Sequence, residues 1–283
     1  MKLFEDIFYG QQIRLLNHTN VPTVFSHENN AILSFALEDA IATIVGQTIA
    51  PATVRLWVHD RTLVLGIPDS RLHHLAKGVQ LMRALDYEVI IRNSGGLAVL
   101  LDENVLNISF ILPHKRQLSI TEGYELMYYF TRRLLEKEGA EILAYEIVGS
   151  YCPGDYDLSI DGKKFAGISQ RRVRNGVAVQ MYLDVAGSSY ERADIVRKFY
   201  NVTKGEHDSA FTYPDVNPHV MASLNELLQT NFTVETMIER IKALFSSVTK
   251  MSLATELLDE EKPIFHERLQ QMKRRNNVIQ QLT

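Results

Sequence analysis

Cys152 is the only cysteine in this chain of 283 residues. A single thiol cannot close a disulfide within the chain, so it serves as a nucleophile, a ligand or a small core side chain. It lies in Gly149-Ser150-Tyr151-Cys152-Pro153-Gly154-Asp155-Tyr156-Asp157, whose glycines and proline describe a turn. Twelve residues later comes Lys164, inside Asp161-Gly162-Lys163-Lys164-Phe165-Ala166-Gly167. A turn and a strand between them would let the two side chains meet. A thiol attacks as its thiolate, and a nearby lysine can favour that form or take the proton. A lysine acting as base must spend time neutral, which needs partial burial or a second cation. Lys163, Arg171 and Arg172 are candidates for that cation. The same residues also read as an exposed turn beside a cysteine that fills a loop. Residue types alone leave both readings open.

Arg92-Asn93-Ser94-Gly95-Gly96 is the second constellation. Paired glycines between strands can simply turn the chain, or can let backbone N–H groups approach an acyl carbonyl or a phosphate. No Gly-Lys-Ser/Thr follows, so the segment is not a Walker loop. His73-His74 sit side by side and point to different helix faces, which makes no metal pair. One cysteine excludes multi-cysteine zinc and iron–sulfur sites, and no Gly-x-Ser-x-Gly elbow is present. The basic cluster of Lys163, Lys164, Arg171, Arg172 and Arg174 has little aromatic interleaving. In a chain of net charge -4 it points to an acidic protein partner rather than nucleic acid. Lys273-Arg274-Arg275 reads as a solvated helix face.

These groups need a scaffold of both helices and strands. Residues 30–47 have helical apolar recurrence, and Val54, Leu56 and Val58 alternate as a strand does. Leu63-Val64-Leu65 predicts a short strand, 72–85 a helix and 87–91 another strand. Further strands are expected at 98–101, 106–110, 158–160, 165–168 and 177–183, with a turn at Asp161-Gly162. Ser119-Ile120-Thr121-Glu122 has the spacing of a capping box. From Pro218 onward the pattern reads as almost wholly helical.

A content of 46% hydrophobic and 23% charged residues is that of a globular chain able to bury a large core. The acidic start, Met1-Lys2-Leu3-Phe4-Glu5-Asp6, does not fit a signal peptide. No apolar run approaches the ~20 residues of a membrane span. With one cysteine, these features predict a cytoplasmic protein with neither membrane nor nucleic acid as partner.

Arg92-Asn93-Ser94-Gly95-Gly96-Leu97-Ala98-Val99 through Asp102, with Leu106-Asn107-Ile108-Ser109, resembles the acyl-binding signature of the biotin/lipoate protein ligase family. Asp161 to Ser169 resembles that family's lysine motif, in which the lysine three residues before glycine is Lys164. Together with Gly149 to Gly154, the chain is most similar to the branch that moves octanoyl groups from the glycine cleavage H protein. The resemblance covers roughly residues 35–250. It implies an α+β fold, a mixed sheet with flanking helices and a helical C-terminus. It further implies Cys152 as nucleophile and Lys164 as its acid/base, with Arg92, Ser94, Gly95, Gly96, Ala98 and Gly167 binding the acyl group. The donor would be the glycine cleavage H protein and the acceptor the lipoyl domains of 2-oxoacid dehydrogenase E2 subunits. Amide in and amide out requires no ATP, and no metal is expected. ATP-using ligases of the family usually carry a third glycine and a histidine where this chain has Leu97 and Leu101, which fits an acyltransferase.

The resulting expectation is an N-terminal extension (1–34) packed on a catalytic domain (35–250), followed by a helical extension (251–283). Acyl carrier protein as donor, an ATP-dependent lipoate ligase and a non-catalytic lipoyl-domain binding protein are the competing readings. The first differs only in its donor, the second in needing ATP and not Cys152, and the third in needing neither.

Overall fold

The structure is a computed structural model and describes residues 2–19, 31–114, 118–205 and 212–282. Asn30, the first residue of the helix expected over 30–47, lies outside the described residues. From the N-terminus the chain forms α1 (Lys2–Phe8), β1 (Gln12–His18), α2 (Ala31–Gly46), β2 (Ala52–Trp57) and β3 (Thr62–Leu65). Next come α3 (Leu75–Ala84), β4 (Glu88–Ile91), β5 (Val99–Leu101), β6 (Val105–Pro113) and α4 (Ile120–Leu134). Strands β7 (Leu143–Ala144), β8 (Leu158–Ile160), β9 (Lys163–Val173) and β10 (Gly176–Asp184) precede α5 (Ser189–Thr203). The chain finishes with α6 (Leu224–Leu228), α7 (Val234–Val248), β11 (Lys250–Ala254) and α8 (Glu261–Gln280).

The larger sheet has the order β11-β1-β2-β6-β10-β9-β8-β7. It is mixed: β1 runs parallel to both β11 and β2, and the remaining pairs are antiparallel. The smaller sheet, β4-β3-β5, pairs β3 parallel with β4 and antiparallel with β5. The α+β class expected from the sequence is the observed one.

Two apolar layers hold the sheets. On one side Phe4 and Phe8 of α1 meet Phe110 of β6, Phe130 of α4 and Phe245 of α7, with ring centroids 4.9 to 5.8 Å apart. Residues near both ends of the sequence therefore share one core. Helix α2 is buried at every position but Leu33, as suits a helix that is apolar all round. Its carboxylates are satisfied inside: Glu38 pairs with Arg55, and Asp39 accepts both Nε and Nη2 of Arg171. At Ser119 the expected capping box is present in both directions.

One strand lies where the sequence reading placed no element, and another overturns that reading. β1 has polar residues at positions that pairing buries, so its pattern does not alternate, yet it is an interior strand. β11 interrupts the run read as wholly helical after Pro218. Its five residues are set by pairing with β1 rather than by their own propensity. The junction expected at 250/251 thus falls within a strand, and α8 beyond it packs along α2. Among the described residues no helix is long and apolar enough to cross a membrane.

Candidate active site

Asp161 and Gly162 both have positive φ, 50° and 72°, and close a tight turn between β8 and β9. The turn sets the alternation at the start of β9: Lys163 is exposed and Lys164 is fully buried. The Lys164 ammonium donates to the carbonyls of Tyr151 at 2.9 Å and Cys152 at 2.8 Å, and to Ser150 Oγ at 3.3 Å. It also pairs with Asp157 Oδ1 at 2.8 Å. The other oxygen of Asp157 accepts from the Ile147 N–H and from the Ser150 hydroxyl. Burial pushes the Asp157 carboxyl above its usual range, and the Lys164 charge opposes that rise. One buried pair thus ties β9 to the turn that carries the cysteine.

Cys152 is half-buried and has φ 47°, a left-handed conformation uncommon for a side chain of its kind. Its sulfur accepts the Leu97 N–H at 3.1 Å, and Nη2 of Arg92 lies 3.5 Å away. The same Nη2 donates to the Leu97 carbonyl at 2.9 Å. A backbone donor and a guanidinium at sulfur both favour negative charge there. The lysine is behind the cysteine backbone, with no hydrogen bond from Nζ to Sγ.

Gly96 makes this approach possible. Its φ is 94°, and a Cβ there would lie 2.4 Å from Arg92 Nη2 and 2.8 Å from the sulfur. At Gly95 a Cβ would meet nothing within 4 Å. The two glycines are alike in sequence and unlike in demand.

A cavity of about 200 Å³ opens beside the sulfur. Phe35, Trp57, Val64, Val99 and Leu101 make its apolar wall, contributed by α2 and both sheets. Arg92, Ser94, Gly95, Gly96 and Gly167 also line it. Ser94 Oγ is buried without a hydrogen-bond partner. At Gly167 a Cβ would come within 2.6 Å of the Tyr182 ring, so glycine is needed for that ring to form the wall. Ala98 and Lys164 are fully buried and are not lining residues. Arg171 is engaged by Asp39, and Arg172 contacts His114 and Gln170, so neither neighbours the lysine as its second cation.

Residues missed in sequence are Asp157 and Tyr124, which lines the cavity. Tyr124 of α4 stacks on Tyr156 of the cysteine turn, with planes 11° apart and centroids 4.9 Å apart. Asp157 stood next to a recognised motif, and its spacing from Lys164 across one hairpin was the available signal. Tyr124 is remote in sequence and gave none.

Comparison with known proteins extends over nearly all of the chain. The model of the lipoyl protein ligase A/B catalytic domain matches residues 30–246. A relative from Oceanobacillus iheyensis, named octanoyl-[GcvH]:protein N-octanoyltransferase, is 47% identical over 276 residues, covering 98% of this chain and 99% of its own. One from Listeria monocytogenes, named lipoyl-[GcvH]:protein N-lipoyltransferase, is 42% identical and covers 90% of this chain and 92% of its own. The crystal structure of a lipoate-protein ligase A bound with ATP shares the fold, with a TM-score of 0.69 at 15% identity over 97% of this chain and 100% of that one. On the span of the domain match and the identity to full-length relatives, this chain belongs to the lipoyl protein ligase A/B catalytic-domain family.

Proposed function

We propose that this protein is a cysteine-dependent amidotransferase of octanoyl groups. The donor is the octanoyl-lysine of the glycine cleavage H protein, and the acceptor is the lipoyl-domain lysine of 2-oxoacid dehydrogenase E2 subunits. The observation that carries the reading is the sulfur of Cys152, set at the rim of an apolar cavity against the Leu97 N–H and the Arg92 guanidinium. That is the arrangement an acyl-accepting thiol requires: charge stabilisation at sulfur and an apolar wall for the chain. The names of the relatives support the donor.

In the first half-reaction the sulfur attacks the amide carbonyl, the C–N bond breaks, and the thiol proton leaves with the lysine amine. Octanoyl remains on Cys152 as a thioester. The acceptor amine then attacks the thioester, a new amide forms, and sulfur regains a proton. Lys164 is the acid/base of both steps: its neutral amine takes the thiol proton, and the ammonium so formed returns it to the leaving lysine amine. In the resting arrangement it holds the backbone that aims the sulfur. Amide is exchanged for amide, so the reading needs neither ATP nor a metal.

Intact-mass spectrometry after mixing with octanoyl-H protein, without ATP, tests this directly beside Cys152→Ser. A hydroxylamine-labile octanoyl adduct on the wild type alone is expected. An adduct formed only from octanoyl-acyl carrier protein would replace the donor. Transfer to an apo lipoyl domain that needs free octanoate and ATP, and survives Cys152→Ser, would replace the mechanism.

A further inference from the structure

Both donors to the Cys152 sulfur come from the loop that begins at Arg92 and ends before β5. Ser94-Gly95-Gly96 gives that loop a high backbone entropy, so its order must be imposed from outside. Two side chains from distant helices grip its ends. On the near side, β4 is an edge strand, and among the described residues no strand pairs with its outer edge. Asn276 of α8 takes the place of a strand partner there. The Ile91 N–H donates to Asn276 Oδ1 at 2.7 Å, and Asn276 Nδ2 donates to the Ile91 carbonyl at 3.0 Å and to the Met272 carbonyl at 2.9 Å. The amide is 1% exposed and fully used. Arg92 is the very next residue.

On the far side the Ala98 N–H donates to the Tyr200 hydroxyl at 3.2 Å. That hydroxyl donates to Asp69 Oδ1 at 3.0 Å, and Asp69 Oδ2 accepts the Gly66 N–H at 2.8 Å. Tyr200 and Asp69 are both buried, at 1% and 0% exposure. Gly66 itself touches the loop, since a Cβ there would fall 1.9 Å from the Gly96 carbonyl oxygen. Helix α8 is in turn anchored at its start, where buried Glu261 pairs with Arg14 of β1.

We propose that Asn276 and Tyr200, the latter backed by Asp69, are positioning residues that fix the two ends of the 92–98 loop. By doing so they place the Leu97 N–H and the Arg92 guanidinium at the Cys152 sulfur. The C-terminal helix is thus a working part of the thiol site, although it lies more than a hundred residues away in sequence. The kinetic arm of the test rests on the octanoyl-transfer reading, whereas the structural arm does not.

Tyr200→Phe removes one hydroxyl, and Asn276→Leu replaces the amide by an apolar group of similar size. Hydrogen exchange of residues 93–100 is followed in each, together with steady-state transfer from octanoyl-H protein. Loop amides should exchange faster by on the order of tenfold while β6 and β10 are unchanged. Turnover should fall roughly 10- to 100-fold with KM for the octanoyl protein unchanged. Unaltered loop exchange, exchange that rises throughout the chain, or full turnover despite a loosened loop would each overturn the proposal. If wild-type protein transfers no acyl group, the functional reading fails and loop exchange alone decides this one.

Discussion

Lys164 reaches Cys152 through its backbone: the ammonium donates to the Cys152 carbonyl at 2.8 Å and makes no hydrogen bond to the sulfur. The sulfur is faced instead by Leu97 and Arg92. Two tasks commonly given to one lysine, aiming the nucleophile and stabilising its charge, are therefore divided between two segments. Cys152 keeps its left-handed φ because the carbonyls on both sides of that residue's N–Cα bond are held by one buried ammonium.

Removing Lys164 should expose this division. Lys164→Met leaves Asp157 buried without its partner, and loss of one member of a buried pair costs about 3–5 kcal/mol. Adding Asp157→Asn should return much of that stability, because the unpaired charge is gone. Thioester formation should be absent from both variants. Urea unfolding and intact-mass spectrometry separate the two effects. An active double variant would show that the lysine is needed for folding alone.

The paired glycines should respond in opposite ways. Gly96→Ala drives a methyl group into Arg92 Nη2 and the sulfur, in a backbone conformation alanine resists. We expect thioester formation to fall at least about 100-fold, since misplacement near 1 Å at a reacting centre has that effect. Gly95→Ala meets open space and should keep activity within about threefold. Equal losses at both positions would argue against the sulfur geometry.

Much of this site was legible because its parts are local. The Asp161-Gly162 turn and the glycine pair are each encoded within a few residues, whereas the choice of Lys164 over Lys163 comes from the family motif and not from the local pattern. What was not legible is set by long-range pairing. The sequence Lys-Met-Ser-Leu-Ala becomes β11 only because β1 offers an edge. Asn276 sits beside the basic run Lys273-Arg274-Arg275, which reads as a wet helix face, yet it is buried against a strand edge. The role of Arg171 also changed on folding: it looked free for docking and is held by Asp39.

With Arg171 held by Asp39, Arg172 and Arg174 are left to meet an acidic protein partner. Arg172 and the exposed Arg174 are the members of the cluster to reverse in charge, because Arg171→Glu would break an internal pair. Arg172→Glu/Arg174→Glu should raise KM for an acidic carrier protein several-fold at low salt and leave kcat unchanged. The effect should shrink as salt screens it. Unchanged KM at low ionic strength would remove this face from the docking surface.

The Asp69 carboxylate, which accepts from Tyr200, should make stability depend on pH in a set direction. Burial raises its pKa from 3.8 to about 6, against the hydrogen bonds from Gly66 and Tyr200 and the charge of Arg92, which lower it. Between about pH 4 and 6 the folded state then holds more protons than the unfolded state. Linkage makes the contribution of Asp69 largest below pH 4 and progressively lost as pH rises through 6. The loss is at most about 3 kcal/mol, from a shift near two units at 1.36 kcal/mol each. Asp184, also raised by burial to about 6, adds a slope of the same sign. The difference in unfolding free energy between wild type and Asp69→Asn isolates one group from the other. It should change across pH 4–6, moving in favour of the variant as pH rises, and be flat above pH 7. A difference that is constant from pH 4 to pH 8 would mean that Asp69 titrates alike in both states, and that its bond to Tyr200 is not made by a buried carboxylate.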